Sequence, residues 1–270
     1  PMLFVTIACG AISGWHSLVS SSGTARQLEV ETDALPVGGG AMFMEMFFAI
    51  VAFLTATVAF GGFQGYQDAG GAAKAMAVFS GGLANFLLRI GIPVEFGTAY
   101  GSVFLTIMAL TIMQLVVRFM RVASAELVGD RMPVMKNMHV GTIVALILTL
   151  IFVWIIPWLT IWSAFGAANQ LMAGLALMLI ALWAMSEGRK HAWALYPAAF
   201  MIVTTLAALL YLAYDNFFVK LPKAATSQAG IAAVLVGIIA LVLVVAAGFL
   251  VYDGWKALRK PQEKQAPAGA

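Results

Sequence analysis

The segment Cys9-Gly10-Ala11-Ile12-Ser13-Gly14-Trp15-His16-Ser17 sets two glycines four apart beside a thiol, hydroxyls and an imidazole, within an otherwise apolar stretch. Glycine weakens a helix interior, so this spacing predicts a helix that loses its internal hydrogen bonds for about a turn. In a membrane segment, carbonyls and amides released that way are the polar groups with which a discontinuous helix holds a substrate or an ion. The same spacing also fits a Gly-x-x-x-Gly contact, in which Gly10 and Gly14 let a second helix approach closely. Residue types alone leave both readings open. Under the first, Gly10, Ser13, Gly14 and His16 bind substrate. His16 then also serves as a proton relay, since imidazole changes charge near neutral pH; a neutral, packed histidine is the other possibility.

Three further polar groups lie in apolar surroundings. Glu45, in Met44-Glu45-Met46-Phe47-Phe48, is a candidate coupling group, because an ionised carboxyl in lipid is costly and is retained for function. It lies about one turn into its helix, so capping or snorkelling is the alternative. Gln114 is a second coupling candidate, or a plain helix–helix contact. Asn169 and Gln170 are adjacent amides that must turn away from lipid, either to bond across helices or to line a polar path. Gly81 and Gly82, in Phe79-Ser80-Gly81-Gly82, are placed to hinge a lid.

Other chemistries are excluded. One cysteine, Cys9, provides neither a disulfide framework nor a metal cluster. There is no Walker A sequence, no H-E-x-x-H and no nucleophile elbow. No paired carboxylate or nucleophile–base constellation supports an enzyme. No cofactor, metal or nucleic-acid partner is expected.

Membrane helices must position these groups. Hydrophobic residues make up 62% of the chain and charged ones 10%, and the mean hydropathy is +0.96. Residues Asn137–Ser186 contain no Asp, Glu, Lys or Arg, enough for two crossings of about 20 residues each with a turn at Pro157. Backbone in lipid must satisfy its own hydrogen bonds, so the apolar runs are helices. Seven segments are predicted: A near 1–21, B near 41–60, C near 98–120, D near 139–157, E near 162–185, F near 192–214 and G near 229–252. The loop 61–97 is too long for a turn. Ala72–Phe79 and Leu83–Arg89 read there as two short helices hinged at Ser80-Gly81-Gly82, either an external lid or an interfacial hairpin.

Eleven of the 15 basic residues fall on the side of the A–B, C–D and E–F loops and the C-terminus; Lys74, Arg89, Lys220 and Lys223 fall on the other. The positive-inside rule puts the C-terminus in the cytoplasm and runs segment A from outside to inside. His139 and His191 then sit at the cytoplasmic interface. Trp154, Trp158 and Trp162 form an aromatic belt at the outer one. The chain opens at Pro1 inside an apolar segment with no basic region before it, which reads as a piece lacking its N-terminal part rather than a signal peptide. The polar stretch 257–270 is expected to be a disordered cytoplasmic tail.

Four ordered blocks resemble the carbon starvation protein A (CstA) family of bacterial inner-membrane transporters. They are Ile7–Ser17 with Ser22-Gly23-Thr24; Gly40-Ala41-Met42-Phe43-Met44-Glu45; Phe79-Ser80-Gly81-Gly82 with Gly91-Ile92-Pro93; and Trp162–Leu171. The first and last are the most specific, and the likeness fades over segments F and G. The family's pattern in segment C is a hydroxyl-rich stretch with an Asp before the first Arg. Here Gln114 stands at the Asp position, and Ile112 and Leu115 replace two hydroxyls, so the resemblance carries no carboxylate site to that segment.

The resemblance implies proton-linked or otherwise ion-coupled uptake of peptides, or of pyruvate in some relatives. It further implies an all-α, polytopic membrane helical bundle, the second inverted repeat of a LeuT-like (APC-type) transporter plus two accessory helices. On that frame residues 1–187 are the transmembrane core and 188–256 two C-terminal helices, with Gly81 and Gly82 gating and Asn169 and Gln170 supporting the bundle. The expected partners are a small-molecule substrate, a proton or other cation, membrane lipids and the missing half of the same protein. The expected location is the bacterial inner membrane. A membrane sensor or assembly subunit without transport is the alternative.

Overall fold

Long apolar runs with no hydrogen-bonding solvent around them leave the backbone to pair with itself, and the chain does so in helices. The structure, a computed structural model, describes residues Pro1–Arg259. Ten α-helices follow in order: α1 Met2–Ala8, α2 Gly14–Ser22, α3 Gly40–Thr57, α4 Phe63–Asp68, α5 Ala75–Leu88, α6 Val94–Val128, α7 Met138–Ile155, α8 Trp158–Ser186, α9 Ala192–Tyr214 and α10 Ser227–Arg259. Among the described residues there is no strand.

Six helical stretches among these residues are long and apolar enough to cross a membrane. They correspond to segments B to G, and the chain is a multi-pass membrane protein. Segment A is not a single helix: α1 has 7 residues and α2 has 9, where a crossing needs about 20. Two spans outrun their expected ends. α6 continues to Val128, so Arg118 and Arg121 sit on a helix rather than in a loop. Arg, Met, Ala, Glu and Leu are good helix formers, and no glycine or proline intervenes before Gly129. α10 continues to Arg259, so 257–259 are helical; the rest of the expected tail lies outside the described residues.

Packing divides the chain into two compact units, Pro1–Ser20 with Val144–Ala270, and Ser21–Ile143. In the first, α8 is the central helix: half of its most apolar stretch is buried, against 11% of that of α7. Its small residues Ala164, Ala167, Ala173 and Ala181 are buried, as are Ala208 of α9 and Ala240 of α10, which lets these backbones approach closely. Val5 of α1, fully buried, joins Leu171, Leu209 and Val236 in one core. α9 and α10, expected as two accessory C-terminal helices, share a core with the opening segment and with α8.

In the second unit α5 lies between α3 and α6. Phe48, Phe79 and Phe104, one from each helix, have ring centroids 5.2 to 6.4 Å apart. Ser102 Oγ donates to Ser80 Oγ at 3.1 Å. None of the most apolar stretch of α3 or α6 is buried, as suits helices with hydrocarbon for solvent.

The expected hinge at Ser80-Gly81-Gly82 is not there: α5 runs unbroken through it. The chain bends instead at Gly70 and Gly71, whose φ values of +107° and +53° favour glycine. Gly82 is a contact. A Cβ there would lie 2.7 Å from Thr55 O and 2.8 Å from Thr55 Cβ on α3, whereas one at Gly81 would meet only Phe60, at 3.6 Å. Gly82→Ala is therefore expected to cost about 1–3 kcal/mol through overpacking. Gly81→Ala is expected to be neutral or to stabilise by up to about 1 kcal/mol through helix propensity. Chemical denaturation of the two variants in detergent checks this, and a gating hinge would instead make both harmful to uptake.

Candidate functional site

The opening segment is interrupted where the glycines predicted it. After Ala8 the chain makes tight turns, with Gly10 N–H donating to Ile7 O at 3.2 Å and Ala11 N–H to Ala8 O at 2.9 Å, and helix resumes at Gly14. What holds the interruption is a pair of side chains from α8. Asn169 Oδ1 accepts from Trp15 N–H at 2.9 Å and from Ser13 Oγ at 3.3 Å. Its Nδ2 donates to Ile12 O at 3.4 Å and contacts Cys9 Sγ at 3.3 Å. Gln170 Nε2 donates to the same Ile12 carbonyl at 2.9 Å. Asn169 thus caps the start of α2 from another helix, and the two amides together take up the Ile12 carbonyl, two residues before it. Both are buried, at 1% and 0% exposure, as two amides in an apolar helix must be.

Gly14 brings the elements this close. A Cβ on it would collide with Asn169 O and lie 2.5 Å from Ala173 N and 2.6 Å from Met172 Cβ. Both sequence readings of the Gly10–Gly14 spacing therefore hold in part: the helix breaks, and Gly14 is a helix–helix contact. Gly10 is no contact, since a Cβ there would meet only Ile7 O, at 3.7 Å. Trp15 stacks on Phe165 of α8, centroids 6.3 Å apart and planes 21° apart.

The interruption also keeps main-chain polar groups unspent. Among the described residues, the carbonyls of Cys9, Gly10 and Ala11 and the amides of Ser13 and Gly14 make no hydrogen bond. Gly10, Ala11 and Ile12 are exposed. The segment therefore offers both acceptors and donors, which a ligand with one kind of group alone cannot fully match.

His16 is exposed on α2. Glu45, on α3, and Gln114, on α6, are exposed within the second unit; Gly81 and Gly82 of α5 belong to the same unit and are half-buried and buried. Sequence reasoning missed Ile12 and Cys9. Ile12 acts through its carbonyl, which any residue carries, so its side chain could not signal the role.

The fold and this site define a polytopic membrane protein with a discontinuous helix locked by carboxamides. The chain belongs to the carbon starvation protein CstA family, whose model matches residues 1–65 and 59–208. It is 28% identical to the peptide transporter CstA of Escherichia coli (strain K12) over 77% of this chain and 38% of that protein. It is 27% identical to the peptide transporter CstA of Campylobacter jejuni over 76% of this chain and 37% of that protein. A shorter stretch, 22% of this chain and 8% of the other, is 55% identical to the pyruvate/proton symporter BtsT of Escherichia coli (strain K12). The chain thus spans under two fifths of the length of the peptide transporters it matches. No solved structure matches it significantly.

Proposed function

We propose that this chain forms part of a secondary active transporter of the bacterial inner membrane that takes up peptides, or a small carboxylate such as pyruvate, coupled to protons. The observation that carries this reading is the set of unspent main-chain groups at the interruption. Three carbonyls and two amides, in a segment that has to sit at membrane depth, are tolerated only where they line a cavity or meet a ligand. Of the two substrate classes named for relatives, a peptide matches better. Its ammonium and amide N–H groups can donate to Cys9, Gly10 and Ala11, and its carbonyls and carboxylate can accept from Ser13 and Gly14. Pyruvate has acceptors only.

In this reading Gly10, Ser13, Gly14 and His16 form the substrate side, and Glu45, with His16 and Gln114, handles the coupling ion. The charge distribution supports a cytoplasmic C-terminus. The test is uptake of labelled dipeptide and labelled pyruvate into vesicles bearing the full-length protein, with and without an imposed proton gradient. Uptake that rises with the gradient, and dipeptide displacing pyruvate more readily than the reverse, is the expected result; absence of both uptakes overturns the transport reading. Glu45→Gln is expected to abolish the response to the gradient while leaving counterflow exchange of substrate across equilibrated vesicles. Gradient-driven uptake intact in that variant removes Glu45 from the coupling role.

A further inference from the structure

Between the link that follows α9 and the start of α10, the first unit carries a cavity of about 310 Å³, largely apolar but with a few polar groups, whose lining shares no residue with the interruption's hydrogen bonds. It is lined by Pro157 of the α7–α8 turn, Thr160 at the start of α8, and Asn216, Lys220 and Lys223 from the link after α9, with alanines of that link and of α10 completing the wall. Asn216 is fully buried. Its Nδ2 donates to Leu212 O at 2.8 Å, while its Oδ1 has no hydrogen-bond partner among the described residues. An orphaned buried acceptor carries an uncompensated desolvation penalty, which a donor from a ligand would relieve. Lys220 pairs with Asp215 at 2.8 Å; Lys223 makes no ion pair among the described residues. The charge left over is one cation, so the cavity asks for an anion as well as a donor.

Its level in the membrane narrows the source. Trp154 and Trp158, which flank Pro157, are 84% and 51% exposed, and exposed tryptophans mark the depth of lipid headgroups. Gln228 Nε2 donates to Trp154 O at 3.0 Å, which ties the start of α10 to the same level. We propose that the cavity holds the headgroup of a phospholipid that carries both a phosphate and a hydrogen-bond donor, as an ethanolamine headgroup does. Lys223, with Lys220, takes the phosphate, and Asn216 Oδ1 accepts from the ammonium. Phosphatidylcholine has the same phosphate and net charge but no N–H, so it satisfies only half of the site.

Native mass spectrometry of the delipidated full-length protein, titrated with phosphatidylethanolamine or phosphatidylcholine, tests this. The expected result is a bound population several-fold larger for phosphatidylethanolamine. Lys223→Ala, at an exposed position, is expected to lower it about fivefold, the equivalent of ~1 kcal/mol per basic residue at a membrane surface; Lys223→Arg is expected to restore it. Equal binding of the two lipids, or binding unchanged in Lys223→Ala, overturns the proposal. Soluble phosphoethanolamine displacing the lipid at matched concentration overturns the lipid as source and assigns the cavity to a free phosphate ester.

Discussion

Gly14→Ala is expected to abolish uptake by the full-length protein and to lower its stability in detergent by about 3 kcal/mol, at the upper end of overpacking costs. The added methyl has no flexible side chain to displace. It meets Asn169 O, Ala173 N and Met172 Cβ, two of them main-chain atoms of α8, so either α2 or α8 must move. Movement of either breaks the short bond from Trp15 N–H to Asn169 Oδ1. Gly10→Ala is the control. Its methyl meets nothing closer than Ile7 O at 3.7 Å, and stability is expected to stay within about 0.5 kcal/mol of the parent, the usual range for a substitution that touches nothing. Thermal unfolding and peptide uptake of the two variants, measured side by side, check the contrast. A tolerated Gly14→Ala would mean that α2 does not lie against α8 as described.

Asn169→Leu is expected to have the second largest effect, a loss of about 2 kcal/mol, because one side chain makes several interhelical bonds that average about 0.6 kcal/mol each in membranes. Leucine keeps the volume but strands the Trp15 amide and the Ser13 hydroxyl. Gln170→Leu is expected to cost less than about 1 kcal/mol: it gives up one bond to Ile12 O but also removes the buried Oε1 that has no partner among the described residues. Asn169→Asp separates the two jobs of the amide. It keeps an acceptor for Trp15 N–H and loses the donor to Ile12 O, so it is expected to retain α2 while loosening the turn before it. Denaturation midpoints rank the three, and a Gln170→Leu more damaging than Asn169→Leu would reverse the assigned roles.

How far such a site can be read in advance depends on which atoms do the work. The interruption near Gly10 and Gly14 was legible because glycine spacing is a local cause of a local effect. The inward turn of Asn169 and Gln170 was legible because two adjacent amides have no favourable place in lipid. Their partners were not: Ile12 and Trp15 contribute main-chain groups, and the main chain is the same at every position. Gly81 and Gly82 show the opposite failure. Two adjacent glycines suggest a hinge, yet α5 continues through them, because breaking a helix in apolar surroundings costs more than glycine's weak propensity. The close approach of Thr55 that uses Gly82 comes from a helix more than twenty residues away.

The residues alone therefore determined the solvent, the helical class, the approximate limits of six of the seven expected spans and the place where the opening segment could break, since each follows from hydropathy or from glycine's backbone freedom acting within one segment. Tertiary structure decided what a one-dimensional pattern does not contain. It set α8 against the opening segment across some 150 intervening positions, gave Gly14 and Gly82 their roles as contacts, gathered α9 and α10 into the same core, and left three carbonyls and two amides without partners among the described residues. Those outcomes depend on which backbones come within van der Waals reach of one another, and that is settled only when the helices pack.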